Sequence, residues 1–215
     1  MKRRLVLKRT VTFAVIATSC ALFVRASAAE SQRVLAVEEH WELRVSEPDF
    51  DRSAPQTSMV MSPTPDLEGI HFLVTLNHTT VPDYAAGGIQ VQLWASDELL
   101  DTRTLHEGTT LDHDAEVITW VQQMSLHEGN LKFLVREGHS ETWGDFGGDE
   151  LKFNTSTSLT ALNSYRPGVS ITESQVSYAE NRVVSLTLTK LVWVTEDGVV
   201  HEQSAPIPVD TSLDE

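Results

Sequence analysis

The chain has 215 residues, of which 40% are hydrophobic and 22% charged, so it is long enough for one globular domain and too rich in core-forming residues for a disordered protein. Its 31 acidic residues outnumber its 16 basic residues, and six of the bases lie in the first 28 residues, where there is no acid. Residues 29–215 therefore carry 10 bases against 31 acids, and this net charge of −21 argues against nucleic-acid binding because it repels phosphate backbones.

The first 28 residues have the layout of an export signal. A basic start precedes a 14-residue apolar stretch over residues 11–24, and small residues at 26–28 form a cleavage site. A membrane span would need roughly 20 apolar residues. We therefore predict cleavage after Ala28 and export to the periplasm, the cell envelope or the medium, with no membrane span in the mature chain. Cys20 offers a lipoprotein alternative, which fits less well because Ala17 stands where a lipid-attachment site normally has leucine.

Cysteine usage narrows the chemistry of the mature chain. Cys20 is the only cysteine, so none remains after cleavage at Ala28. Thiol catalysis, cysteine-ligated zinc and disulfides are therefore excluded, and the fold must be held by its core or by bound ions.

From residue 41 onward, short runs that alternate apolar and polar residues are broken by turn residues, which is typical of β-strands with one buried face. In chain order, the predicted strands cover residues 41–45, 70–77, 88–94, 99–105, 116–124, 131–136, 151–153, 182–195 and 199–203. Gln90 and Gln92 lie opposite the apolar face of their run. Asp197-Gly198, between two β-rich runs, is the strongest hairpin signal in the chain. Residues 158–163 are the one helical candidate, at most two turns long.

This pattern predicts an all-β protein, a two-sheet antiparallel β-sandwich of about ten strands with jelly-roll-like connections. A closed barrel needs the same alternation and stays the alternative. The predicted organisation is a signal peptide over residues 1–28, a single sandwich domain over 29–204, and a flexible acidic tail over 205–215 that contains two prolines.

The segment from Thr142 to Glu150 is the most distinctive in the chain, because it sets two aromatic residues among glycines and acids. One interpretation is a ligand-binding loop, in which aromatic rings support a sugar ring and acids bind hydroxyls or calcium. The candidate ligand-binding residues are then Trp143, Asp145, Phe146 and Asp149. The alternative is an arched connection whose tryptophan closes one end of the sandwich, since large aromatic residues are mostly buried.

Three acids, Asp112, Asp114 and Glu116, occupy alternate positions and form a candidate calcium site. A calcium loop needs about six oxygen ligands and usually a glycine at the bend, and this segment has no central glycine. A solvated acidic turn that leads into a strand is the alternative. No cofactor is predicted beyond this calcium candidate.

Catalytic motifs are absent from the sequence. It contains no Glu-x-Asp-x-x-Glu run of the kind found in sandwich glycosidases, no Gly-x-Ser-x-Gly and no His-Glu-x-x-His, and its eight histidines are scattered. If the protein is an enzyme, its carboxylates would come from Glu42, Glu116 or the surroundings of Asp145. Glu42 is expected to face outward with Arg44, whereas Glu38 and Glu39 precede the clearly alternating run.

Three segments carry a resemblance to known proteins: Trp143-Gly-x-Phe-Gly-Gly, residues 164–170 (Ser-Tyr-Arg-Pro-Gly-Val-Ser) and residues 181–186 (Asn-Arg-Val-Val-Ser-Leu). With them the chain resembles, over most of its length after about residue 38, a group of exported bacterial β-sandwich proteins of unknown function. That group has no established activity, so it implies no functional residues. The run 182–195 is also similar to the concanavalin-like lectin and glucanase sandwiches. This second resemblance implies a concave sheet facing polysaccharide and, without the acidic run, binding rather than cleavage.

Our leading hypothesis is an exported, non-catalytic β-sandwich module that binds carbohydrate. The first alternative is a hydrolase or lyase that acts on polysaccharide in a groove of one sheet. The second is a structural subunit of a cell-surface assembly, which predicts an uncovered sheet edge or an apolar patch. The expected partner is a polysaccharide or a surface protein, and the sequence leaves the oligomeric state open.

Overall fold

The computed structural model describes residues 32–46, 56–77, 87–111, 113–178, 182–204 and 206–211. The predicted export signal, residues 1–28, lies outside these ranges. Every described residue belongs to one compact unit, Gln32–Glu215. The described ranges contain no helix with the length and the apolar character that crossing a membrane requires.

The described residues form thirteen strands and one short α-helix. The strands are β1 (Val34–Val45), β2 (Gln56–Met61), β3 (Ile70–Leu76), β4 (Ile89–Ala95), β5 (Glu98–Leu105), β6 (Val117–His127), β7 (Asn130–Ser140), β8 (Gly144–Phe146), β9 (Lys152–Ser156), β10 (Gln175–Tyr178), β11 (Val183–Thr195), β12 (Val200–Gln203) and β13 (Ile207–Pro208). The helix is α1 (Pro167–Thr172), and Asp149–Leu151 form a 3₁₀ turn.

Two antiparallel sheets make up the fold. The eight-stranded sheet runs in the order β12-β11-β1-β6-β7-β8, with β13 added to β11 and β9 added to β7. The five-stranded sheet runs in the order β10-β2-β3-β4-β5. The prediction of an all-β, two-sheet antiparallel sandwich is therefore confirmed, whereas the jelly-roll-like connections stay a prediction.

The two sheets meet through large side chains on their inner faces. Phe72 of β3 and Phe133 of β7 stack with ring centroids 4.4 Å apart, so one ring from each sheet joins the layers. Trp41 of β1 and Trp120 of β6 stack within the eight-stranded sheet, with ring centroids 6.3 Å apart. Burying each such ring contributes about 3 kcal/mol, which explains how a sandwich without disulfides can be held by its core.

Some elements differ from the sequence-based expectation. β1 begins at Val34, whereas the sequence predicted a start at residue 41. The prediction missed the first residues because an acid, Glu39, occupies an inward position of their alternation. The helix lies at 167–172 rather than 158–163, and it begins at Pro167, whose fixed φ suits the first helical turn.

Part of the segment predicted to be a tail is held against the eight-stranded sheet. β13 pairs with Thr187 and Leu188 of β11, and the N–H of Val209 donates to the carbonyl of Leu186 at 2.9 Å. Val209 is buried among core residues.

Candidate functional site

Glu116, a predicted metal ligand, binds the turn that follows β7 through hydrogen bonds. It lies directly before β6 and is fully buried. Its Oε1 accepts hydrogen bonds from Ser140 Oγ at 2.6 Å and from the N–H of Thr142 at 2.9 Å, and its Oε2 accepts one from Thr142 Oγ1 at 2.7 Å. The carboxylate therefore fixes the turn that follows β7 and carries Trp143.

Among the described residues, the other two predicted metal ligands do not form a metal site with Glu116. Asp112 lies outside the described residues, and Asp114 is exposed. Within the described ranges, no group of three or more histidine, cysteine, aspartate or glutamate side chains is arranged to hold a metal ion. Calcium binding by these acids stays a prediction.

The aromatic residues of the predicted ligand-binding loop are packed inside the protein. Trp143 is 6% exposed, donates from Nε1 to the carbonyl of Thr109 at 2.9 Å, and meets Phe146 edge to face at 6.1 Å. Phe146 lies against Gly138, where an added Cβ would come within 2.2 Å of the ring. Trp143 is enclosed, whereas Phe146 is 7% exposed and lines an open groove together with Asp145. The packing of Trp143 fits the alternative interpretation of a closing connection, and a ligand-binding role for both rings stays a prediction.

The acids of the same loop are at the surface. Asp145 forms a hydrogen bond with His139 Nδ1 at 2.8 Å and lines an open groove of about 510 Å³ together with Arg136. Asp149 accepts a hydrogen bond from Lys152 Nζ at 2.6 Å, and this contact lowers the pKa of Asp149. The loop thus places its acids outward and its aromatic rings inward.

A different aromatic residue, Trp94, is partly exposed on the outer face of the five-stranded sheet. The register of β3 and β4 sets Trp94 opposite His71, and the two rings stack with centroids 6.5 Å apart and planes within 7° of parallel. Trp94 Nε1 donates to Gln92 Oε1 at 3.0 Å, and Gln92 Nε2 donates to Gln90 Oε1 at 2.7 Å. This ladder along β4 fixes the orientation of the indole ring.

The Trp94 pocket is a concave site of about 300 Å³ beside this ring. Its lining residues are Val60, His71, Leu73, Trp94, Ser96 and Asp97. An apolar floor, one aromatic wall and a small number of polar groups at the rim are the composition of small-molecule sites.

The rim of the Trp94 pocket is fixed by the turn between β4 and β5. Ser96 adopts a left-handed φ of 51°, and its N–H donates to the carbonyl of Gly69 at 3.1 Å. The hydroxyl of Ser96 donates to the carbonyl of Glu68. His71 Nδ1 lies 3.2 Å from the carbonyl of Gly69, so the same loop orients the imidazole.

Sequence reasoning placed Trp94 in the core by default and did not select it as a site. The available signal was the alternation Gln90, Gln92, Trp94, which puts the tryptophan on the polar face of its strand. Its pairing with His71 depends on strand register, which the local sequence does not reveal.

Two of the carboxylates considered for catalysis lie in different environments. Glu42 faces outward from β1, where Arg44 Nε donates to it at 2.7 Å, and Glu116 is buried under the Trp143 turn. A third carboxyl that sequence reasoning set aside, Glu39, is fully buried on the inner face of β1, and burial raises its pKa.

Comparisons with known proteins give one structural match. No protein-family model matches the chain, and no curated protein matches it. The chain is similar to a solved structure of SCP-B, a member of the eqolisin family of peptidases, in complex with the tripeptide Ala-Ile-His. The match has a TM-score of 0.30 and 8% sequence identity, and it covers 81% of each chain.

Proposed function

We propose that the protein is an exported, non-catalytic β-sandwich module that binds carbohydrate, and that the sugar occupies the Trp94 pocket. The observation that carries the proposal is the Trp94 ring, oriented by Gln92 and His71 beside an open concavity.

The chemistry of a sugar suits this arrangement. One face of a pyranose ring presents C–H groups, which pack on the electron-rich face of an indole. Its edge presents hydroxyls, which both donate and accept hydrogen bonds. Asp97 offers acceptors, and Ser96 and His71 offer polar atoms at the same rim.

Charge favours a neutral glycan. Asp97 is the charged residue of the lining, and residues 29–215 carry 10 bases against 31 acids. A uronic acid or a sulfated sugar would be repelled by both, because like charges disfavour association.

The experiment is retention of the exported protein on immobilised polysaccharides, both neutral and acidic. We expect retention on a neutral polysaccharide, and we expect W94A to weaken it at least about tenfold, or about 1.4 kcal/mol. W193A is the matched control, because Trp193 forms a similar stack with His201 on the other sheet, with centroids 5.2 Å apart. Unchanged retention of W94A would rule out this pocket, and loss in a folded W143A variant would move the site to the Trp143 loop.

A second candidate function, a structural subunit of a surface assembly, is supported by β5. Within the described residues, β5 pairs with β4 alone, and Leu99 and Leu100 are 41% and 45% exposed. An edge strand with exposed apolar residues is a template for another chain. Light scattering should then show concentration-dependent assembly that L100E abolishes, whereas a monomer at all concentrations would exclude this function.

A further inference from the structure

Two neighbouring strands of the eight-stranded sheet place four large polar side chains side by side inside the sandwich. The register of β1 and β6 sets Glu39 opposite Gln122 and Trp41 opposite Trp120. All four are at most 1% exposed, and the two indole rings stack. They form a square on the inner face, which we call the inner polar square.

The β1 half of the inner polar square is hydrogen-bonded. Trp41 Nε1 donates to Glu39 Oε2 at 3.0 Å, and Tyr165 and Ser170 both donate hydroxyl groups to Glu39 Oε1. Burial raises the pKa of Glu39 and that of Tyr165, because desolvation disfavours the charged form of each group.

The β6 half is different. Gln122 Nε2, Gln122 Oε1 and Trp120 Nε1 are all buried, and none has a hydrogen-bond partner among the described residues. Buried polar atoms in folded proteins are almost always paired, with protein groups or with ordered water, because an unpaired one loses its solvation without compensation. Three such atoms on two residues of one strand face require a shared explanation.

We propose that the β6 half of the inner polar square is an internal hydration site, in which Gln122 and Trp120 bind one or two ordered water molecules next to Glu39. The unpaired atoms suit water. Trp120 and the Gln122 amide supply donors, the Gln122 carbonyl supplies an acceptor, and each water both donates and accepts.

The spacing also suits water. Residues two positions apart on a strand lie roughly 7 Å apart, a distance that two side chains and one or two waters can bridge. Internal sites with several polar walls hold water, whereas apolar cavities stay dry.

The test is the water–indole nuclear Overhauser effect in protein with ¹⁵N-labelled tryptophan. Trp143 is the internal control, because its indole N–H is buried but donates to the backbone carbonyl of Thr109. We expect a cross peak between long-lived water and the indole proton of Trp120 and none at Trp143, with W120F used for the assignment. If the indole proton of Trp120 shows no cross peak to water, in a spectrum where the partly exposed Trp94 shows one, the proposal is overturned.

A second measurement assigns the role of Gln122. Q122M keeps the length of the side chain and removes both polar atoms. We expect the Trp120 cross peak to fall at least about twofold in Q122M, together with the loss of about one long-lived water in magnetic relaxation dispersion. An unchanged cross peak would overturn the role of Gln122. If Q122M does not fold, the wild-type spectrum still decides whether water is bound.

Discussion

The hydroxyl of Tyr165 donates a hydrogen bond to Glu39 Oε1 across 2.5 Å, although the two residues lie 126 positions apart in the chain. Ser170, from α1, donates to the same oxygen. Together these contacts fasten the segment before β10 to the central strand β1. The buried carboxyl of Glu39 thus anchors an otherwise irregular segment to the sandwich.

The buried carboxyl should make stability depend on pH. Burial raises the folded-state pKa of Glu39 above its usual 4.5, so its stabilisation is complete below that value and is lost as the pH rises through the folded-state pKa. We expect E39Q, which cannot ionise, to gain stability relative to wild type as the pH rises above about 4.5. Denaturant unfolding across this range measures the difference. An E39Q curve parallel to wild type would contradict the expectation.

The anchor itself can be tested with Y165F. This change removes one donor to Glu39 and keeps the ring, so we expect a loss of about 1 kcal/mol in the free energy of unfolding. S164A, at the exposed neighbouring position, should change stability by less than about 0.5 kcal/mol. Equal effects of the two variants would show that the Tyr165 hydroxyl does not stabilise the fold.

Removal of the Glu116 carboxylate should loosen the Trp143 turn. E116A leaves the hydroxyl of Ser140 and two donors of Thr142 without their acceptor, and we expect a cost of about 3 kcal/mol. Hydrogen exchange at the Thr142 amide should accelerate in E116A. D114A, an exposed acid of the same segment, should leave both measurements near wild type, and slow exchange at Thr142 in E116A would refute this role.

Calcium should not add to stability through Glu116, because its oxygens already accept three hydrogen bonds. The calcium site predicted from the acidic cluster is tested by the thermal midpoint in calcium and in chelator, since a ligand that binds the native state raises the midpoint by mass action. Midpoints equal within about 1 °C would exclude the site. A clear rise with calcium that D114A removes would instead establish the calcium site predicted from the acidic cluster.

Gly138 should tolerate no side chain. A Cβ there would lie 2.2 Å from the Phe146 ring, and such overpacking typically costs about 1–3 kcal/mol. Urea unfolding of G138A measures the loss. G168A is the control, since a Cβ at Gly168 meets nothing within 4 Å, and comparable stability of the two variants would mean that Phe146 moves aside freely.

The alternation of residues was sufficient to predict the strands whose two faces differ in polarity. Ile89, Val91 and Leu93 point inward from β4, as expected, and the Asp197-Gly198 turn joins β11 to β12. The start of β1 was missed because Glu39 is an acid on the buried face. Its burial depends on Tyr165 and Ser170, whose proximity follows from the tertiary fold and not from the local sequence.

The same limit applies to the candidate site. Trp94 and Trp143 both stand near turns, and local composition favoured Trp143 because acids and glycines surround it. Which ring is covered is decided by neighbours from other strands: His71 stands beside Trp94 with a pocket in front of it, whereas Thr109 and Phe146 enclose Trp143. Such neighbours are set by strand order and register.

The position of β1 between β6 and β11 has a consequence for how the chain folds. β1 pairs with β11 from Val34–Thr195 to Val45–Val183, so the middle of the eight-stranded sheet joins residues that are about 150 positions apart. The ribosome must therefore deliver almost the whole described chain before this sheet can close. Pairings between such distant segments slow folding, because closing a long loop costs conformational entropy before the native contacts form that offset it. In a nascent chain stopped before Val183, β1 would have one unpaired edge, which chaperones and proteases could bind.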